Sequence, residues 1–205
     1  MGVKEKRAKY KEEFRREILN SARELFLKDG YEKFSMRRLA NKIDYSPTTI
    51  YLYFKDKDEL LFAICEEMAA QFLTDLYKLR ESHSSPLDAL REAMLNFVDF
   101  GFDNPNQYKV FFLDLEKSSI YGSREEFMER ESMRRDSYLE FRKIVEACIK
   151  AGKLRRMNID LLTQVLATPI HGLIVMNIYN KNFPWADRKV LAQTLVDGLL
   201  KGYQP

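Results

Sequence analysis

Ser46-Pro-Thr-Thr-Ile-Tyr-Leu-Tyr-Phe-Lys-Asp-Lys-Asp-Glu-Leu-Leu61 is the stretch on which the fold turns. Ser46 is a helix N-cap and Pro47 takes the first helical position, where its missing N–H costs no hydrogen bond. A short helix therefore starts at once and runs through Thr48 to Tyr53. Asp56 with Glu59 three residues on has the spacing of a capping box. The longer helix behind it places Leu60, Leu61, Ile64, Met68, Phe72, Leu76 and Leu79 on one face.

Working upstream, Asp44-Tyr45 interrupts an earlier short helix, capped by Ser35, that holds Met36, Leu39, Ala40 and Ile43. Before it, Phe14, Ile18, Ala22, Leu25 and Phe26 repeat at helical spacing, and Gly30 stands where a left-handed C-cap ends that first helix. Two short helices separated by three or four residues make a helix-turn-helix, whose second helix can project into a major groove. Thr48 and Thr49 are short hydroxyl side chains suited to base edges or thymine methyls, while Tyr51, Tyr53 and Lys57 suit phosphate oxygens. Ile50 and Phe54 read as core.

Charge supports the same division. Residues 1–55 carry 14 Lys and Arg against 8 Asp and Glu, and residues 56–205 carry 20 against 23, so a net +3 averages a +6 end and a −3 body. A basic end on a slightly acidic body suits contact with a polyanion, although a solvated basic helix has the same signature. Within it, residues 1–11 carry five positive charges against one negative and lack an apolar face. They read as a basic tail, solvated or lying along DNA.

The run from Ser46 to Leu61 resembles the helix 3 to helix 4 signature of TetR-type transcriptional regulators, and Phe34-Ser-Met-Arg-Arg-Leu-Ala40 resembles their helix 2. The likeness spans about residues 12–62, with the aromatic spacing Tyr51, Tyr53, Phe54, then Lys57 and a leucine pair, as its most specific part. It implies DNA contacts from Ser35 and Arg37, base contacts from Thr48 and Thr49, backbone contacts from Tyr51 and Tyr53, and a phosphate contact from Lys57. Two positions depart from the family pattern. Asp44 stands where the family usually has Gly, and Asp tolerates the left-handed region better than most other residues. Thr48 stands where Gly is common, which makes it a candidate specificity determinant.

Beyond the fourth helix the chain reads as an unbroken helical domain, so the expected division is a DNA-binding domain over 1–55 and a ligand-binding and dimerisation domain over 56–205. Ser85-Pro86 and Asn104-Pro105 each start a helix, the second carrying Tyr108, Phe111, Phe112 and Leu115. A loop over 118–122 and one long helix from about Ser123 to Ala151, ended by Gly152, follow. Asn158 or Asp160 opens the next helix, which is apolar nearly all round from Leu161 to Tyr179, and Asp187 opens the last. An all-apolar helix needs cover on two sides, and a second subunit packed on the last two helices supplies it most simply; the family likeness implies the same homodimer. A central helix of a monomer is the alternative. In a two-fold dimer the recognition helices would read half-sites of an inverted repeat on the order of 34 Å apart.

Aromatic residues form 13% of the chain, and Phe97, Phe100, Phe102, Tyr108, Phe111, Phe112, Phe127, Tyr138 and Phe141 fall where the middle helices should meet. They are core candidates. Phe97, Phe100, Tyr108, Phe111, Tyr138 and Phe141, with His171, are also candidates for an apolar pocket between helices. The family likeness implies a small-molecule inducer there, and a ligand shifts DNA affinity only as far as it prefers the non-binding conformer. Pro169 inside its helix should break one backbone hydrogen bond and bend it.

The composition excludes several other classes. A chain of 205 residues, 45% hydrophobic, carries enough apolar surface for a real core, and Leu outnumbers Val 25 to 8 with only 6 Thr, so an all-α fold of about nine helices is expected. The N-terminus has no signal-like apolar segment, and the apolar run Val165–Met176 is shorter than a span needs, so a cytoplasmic protein off the membrane is expected. Cys65 and Cys148 lack a CxxC spacing, His83 and His171 have no ligand cluster, and no GxSxG, Walker or HExxH motif occurs. The expectation is no metal, no cofactor and no enzyme. The reading reached is a ligand-responsive regulator, most simply a repressor; its rival is a helical dimer that binds a ligand or protein without DNA.

Overall fold

Three local devices set the course of the N-terminal chain: a glycine with positive φ and two serine caps. The computed structural model describes residues 2–114 and 124–205. Helix α1 (Val3–Lys33) leaves helical geometry at Gly30, where φ is +75° and ψ 172°. It is followed by α2 (Met36–Lys42), α3 (Pro47–Tyr51) and the long α4 (Lys57–Ser82). Then come α5 (Pro86–Asp103) and the single turn α6 (Pro105–Tyr108), continued by a π-helical turn over Lys109–Asp114. The remaining helices are α7 (Arg124–Glu129), α8 (Met133–Lys150), α9 (Ile159–Tyr179) and α10 (Arg188–Gly202). The fold is all-α, as composition implied, with ten α-helices among the described residues and no strand there.

The chain divides into two compact units, Met1–Met68 with Asn106–Arg130, and Ala69–Pro105 with Glu131–Pro205. In the first, Ile18, Leu19 and Phe26 of α1 meet Leu39 and Ala40 of α2, Ile50 of α3 and Leu60, Leu61 and Ile64 of α4 in a buried core. Phe26 stacks on Phe34 at 4.0 Å, fastening the segment just past Gly30. Tyr108, Val110 and Phe111 bury in the same unit, and the Asp114 carboxylate accepts the Tyr31 backbone N–H at 3.4 Å.

In the second unit, Leu90, Met94 and Val98 of α5, Ile144, Val145 and Cys148 of α8, and Ala192, Val196 and Leu200 of α10 surround Leu162, Leu166, Ile170 and Ile174 of α9. Helix α9 is long and apolar enough to cross a membrane by length and composition; this inner face is packed against its own unit. It stays helical across Pro169. A Cβ placed on Gly101 would lie 2.6 Å from Ile174 Cγ2, so glycine is what lets α5 approach α9 there. Glu140, 1% exposed, pairs with Arg80 at 3.0 Å and Lys143 at 3.1 Å.

Three expected elements differ. The long helix expected from Ser123 to Ala151 is broken, because Ser132 adopts extended φ/ψ (−155°, 146°) and its hydroxyl accepts the Arg135 N–H, restarting the chain as α8. The helix expected from Asn104-Pro105 makes one α turn and then widens into the π turn. Residues 3–11, read as a tail, are the exposed first turns of α1. Nothing between Val3 and Gly30 breaks a helix, and Glu5 accepts the Gly2 N–H at 2.8 Å in the first turn, where a carboxylate is favoured. The loop expected over 118–122 and Leu115 lie outside the described residues.

Candidate nucleic-acid interface

The turn between α2 and α3 is built from the backbone outward. Ser35 is extended and its Oγ accepts the Arg38 N–H at 3.3 Å, closing the N-terminus of α2. The Arg38 guanidinium donates to the Lys33 carbonyl at 2.9 Å and to Asp29 at 2.6 Å, tying α2 back to the end of α1. Its neighbour Arg37 is exposed. At the turn Asp44 holds φ +57°, in the left-handed region that Asp tolerates better than most other residues. Ser46 Oγ then accepts the Thr49 N–H at 3.1 Å and lies 2.8 Å from Thr49 Oγ1.

This scaffold sorts the residues that follow the cap. Ile50 and Phe54 turn inward, 0% and 2% exposed. Thr48, Tyr51 and Leu52, at i, i+3 and i+4, share the outward face and are all exposed. Tyr53 is half-buried with its ring edge-on to Phe14 at 5.1 Å, and Tyr45 packs on the same Phe14 at 4.4 Å. A hydrogen bond with Tyr10 raises the Tyr45 phenol above its ordinary pKa. Of the expected contact residues, Arg37, Thr48 and Tyr51 present free-standing side chains outward, whereas Ser35 and Thr49 spend their hydroxyls on capping geometry. Tyr53 combines a packing role with partial exposure.

Lys57 opens α4, and its ammonium sits over the Tyr31 ring at 3.9 Å from the centroid. The Tyr31 hydroxyl donates to the Asp58 carboxylate, and burial, then this bond, raise the phenol far above its ordinary value. The capping box expected of Asp56 and Glu59 forms one residue out of register: Asp56 accepts the Glu59 N–H at 2.9 Å, while Glu59 reaches the N–H of Lys55 at 2.6 Å. Sequence reading missed Tyr31 as the support under Lys57. The two are 26 positions apart and only the fold brings them together.

The candidate ligand residues fall in both compact units. Tyr108 and Phe111 are buried in the first, in contact through Phe112 at 4.7 and 4.4 Å, and burial raises the Tyr108 phenol. In the second, the Phe72 ring lies 5.6 Å from Phe97 and 4.9 Å from Phe100, and the His171 ring meets Phe97 edge-on at 4.9 Å. Burial, with a smaller contribution from the Arg134 charge, lowers the His171 pKa to about 4, so the imidazole is neutral at physiological pH. Tyr138 and Phe141 lie half-buried on α8. Phe72 was absent from the expected set because its helical register marks it only as core. Among the described residues no three His, Cys, Asp or Glu side chains converge in a way that would hold a metal ion.

Comparison with known proteins places this geometry. Residues 18–64 match the family model described as bacterial regulatory proteins, tetR family. The chain is 25% identical over 194 residues to the HTH-type transcriptional regulator HbdR of Aromatoleum sp. (strain CIB), covering 95% of this chain and 81% of that one. Its fold is similar to that of the transcriptional regulator FadR from Bacillus subtilis in complex with stearoyl-CoA, with a TM-score of 0.74 at 20% identity over 91% and 98% of the two chains. RolR in complex with resorcinol is similar with a TM-score of 0.67 at 18% identity over 96% and 90%.

Proposed function

We propose that this chain, a transcriptional regulator whose N-terminal region belongs to the tetR family, is a repressor that binds an inverted-repeat operator as a homodimer and leaves it when a small apolar or aromatic inducer binds. The observation that carries the reading is the outward face of α3. Thr48 and Tyr51 stand clear of a helix that is fixed by its Ser46 cap and anchored from behind by Ile50 and Phe54. Short hydroxyls and phenols on such a helix fit base edges and phosphate oxygens in a major groove. Ser35, Arg37, Thr49, Tyr53 and Lys57 complete the proposed contact surface, with the DNA-binding domain taken as residues 1–55 and the remainder as the ligand-binding and dimerisation domain.

The dimer is assigned to α9 and α10. Along α9 an outward stripe leaves Leu161 52%, Met176 49% and Tyr179 62% exposed, and Val190 at the start of α10 is 57% exposed. Large apolar side chains left exposed on these two helices favour cover by a partner, and two-fold pairing would present two α3 helices to the two half-sites. Phe97, Phe100, Tyr138, Phe141 and His171 are the proposed inducer contacts in the second unit, and Tyr108 and Phe111 are candidates within the first; the acyl and phenolic ligands in the structures of FadR and RolR suit aromatic linings of this kind. The protein acts by binding rather than by catalysis, and in the cytoplasm, where its DNA is.

Selection of bound duplexes from a random pool, repeated with acyl and phenolic compounds present, tests the proposal. The expected product is an inverted repeat whose binding weakens steeply with salt, log K falling by ~0.9 for each phosphate neutralised. No enrichment, or binding indifferent to salt, would leave the rival reading of a helical ligand- or protein-binding dimer without DNA. A solution mass of one chain would remove the dimer.

A further inference from the structure

Leu52 is the most exposed large hydrophobic side chain among the described residues, at 77%, and it stands in the middle of the proposed recognition surface. A lone exposed leucine is ordinary on a protein surface and by itself carries no meaning. Its position gives this one meaning. Leu52 closes α3 with helical φ/ψ (−71°, −17°), and its N–H bonds the Thr49 carbonyl at 3.3 Å, so its direction is set by the helix. Ile50 and Phe54 on either side are buried at 0% and 2% exposure, so the inward positions of this stretch are theirs and Leu52 stands in solvent. It lies one helical turn from Thr48 and beside Tyr51, on the face that points away from the protein.

Thr48 and Tyr51 carry hydroxyls and can satisfy donors or acceptors on bases and phosphates. Leu52 carries neither a donor nor an acceptor, so hydrogen bonding cannot be its contribution. The apolar feature that a B-form major groove offers is the C5-methyl of thymine. We infer that Leu52 is a specificity-determining residue that reads a thymine C5-methyl in each half-site. The inference rests on the operator-binding reading above and adds to it the chemistry of one position. Contact with that methyl removes both apolar surfaces from water, while cytosine at the same place would put an unfulfilled N4 amino donor against a hydrocarbon.

The test uses the full-length protein and the duplex obtained by selection. Each thymine is replaced in turn by uracil, which deletes the methyl and keeps the base pair. For the wild type, one symmetric thymine position should lose about fourfold in affinity per half-site, the effect of one buried methyl-sized group. In Leu52→Ala the thymine-to-uracil difference at that position should vanish. In Thr48→Ser, which drops the threonine methyl and retains the hydroxyl, it should persist. A scan with no sensitive thymine overturns the inference, as does sensitivity that survives in Leu52→Ala or disappears in Thr48→Ser. Failure to bind any duplex overturns the regulator reading itself and this inference with it, and so is distinguishable from a scan that binds well and shows no methyl dependence.

Discussion

The outward face of α3 and the aromatic group around His171 place functional candidates in opposite environments. On α3 the candidates stand in solvent, and the residues that fix them are neighbours in sequence: Ser46, Pro47, Ile50 and Phe54. Around His171 the candidates are themselves packing, with Phe72, Phe97, Phe100 and the imidazole in ring-to-ring contact drawn from three helices. A surface that reads a polymer can be altered without disturbing the core beneath it. A group sunk among helices carries stability and recognition in the same side chains. Mutations should therefore separate the two properties in the first region and move them together in the second.

The largest expected effect lies in the second region and comes from acid. Burial holds His171 at a pKa of about 4, below the ordinary 6.5. In the unfolded chain it takes up a proton as pH falls below 6.5, while in the native state it resists until about 4. Native stability is thus unaffected above that window and is lost on descending through it. The loss is about 3 kcal/mol at most, reached near the lower limit. Denaturant unfolding of wild type and His171→Gln between pH 7 and 4 checks it: the variant's curve should be flatter, and parallel curves would mean the imidazole is hydrated in the native state.

Next in size is Gly101→Ala. The added methyl meets Ile174 at 2.6 Å, close to that side chain's own root, so either the rotamer or the spacing of α5 and α9 must yield. Overpacking of this kind costs about 1–3 kcal/mol. The midpoint of urea unfolding should fall accordingly, and Gly101→Ala with Ile174→Val should recover part of the loss. An unchanged midpoint in the single variant would show that α5 and α9 are more loosely packed than the close approach implies.

Legibility in sequence followed the range of the interaction that decides each feature. Ser35, Ser46 and Asp187 cap their helices through the N–H three residues on, as does Asn158, one of two starts read for its helix, so four residues suffice to read such caps. Gly30 and Gly152 were likewise read from local backbone needs and Asp44 from the glycine that the family likeness puts in its place, and all three hold positive φ. The break at Ser132 was hidden because the charged residues on either side continue a helical pattern, and a serine cap alone does not outweigh it. The π turn after Tyr108 and the burial of Glu140 against Arg80 depend on partners far along the chain. So does the stacking of Lys57 on Tyr31, which turns a residue expected only at phosphate into one with a resting place on the protein.

Ser46→Ala sharpens the contrast from the other side. It removes the acceptor for the Thr49 N–H and frees Thr49 Oγ1, which together should cost ~1 kcal/mol of stability. Because the loss falls on the helix that carries Thr48, Tyr51 and Leu52, duplex affinity should fall as well. Ser46→Asp, which retains a capping oxygen, should restore the melting temperature while its charge still weakens binding to DNA. If Ser46→Asp restores both, the cap is the whole contribution of this position.

The smallest effects on stability should accompany clear effects on recognition. Thr48 is exposed and bonds nothing that holds α3, so Thr48→Ala should stay within about 0.5 kcal/mol of wild type. Lys57→Ala loses the ammonium over Tyr31 and should cost about 0.5–1 kcal/mol. Their binding phenotypes should differ in kind. Removing a phosphate contact weakens every duplex alike and lowers the salt slope by ~1, so Lys57→Ala should leave the selected sequence unchanged. Removing a base contact leaves the salt slope and changes the sequence, so Thr48→Ala should shift the preferred base at one position of each half-site. Parallel selections and salt titrations of the two variants measure both quantities. A sequence change in Lys57→Ala with an altered slope in Thr48→Ala would exchange the roles assigned to these side chains. Equal loss of stability and affinity in both would erase the distinction between an outward reading face and a packed interior.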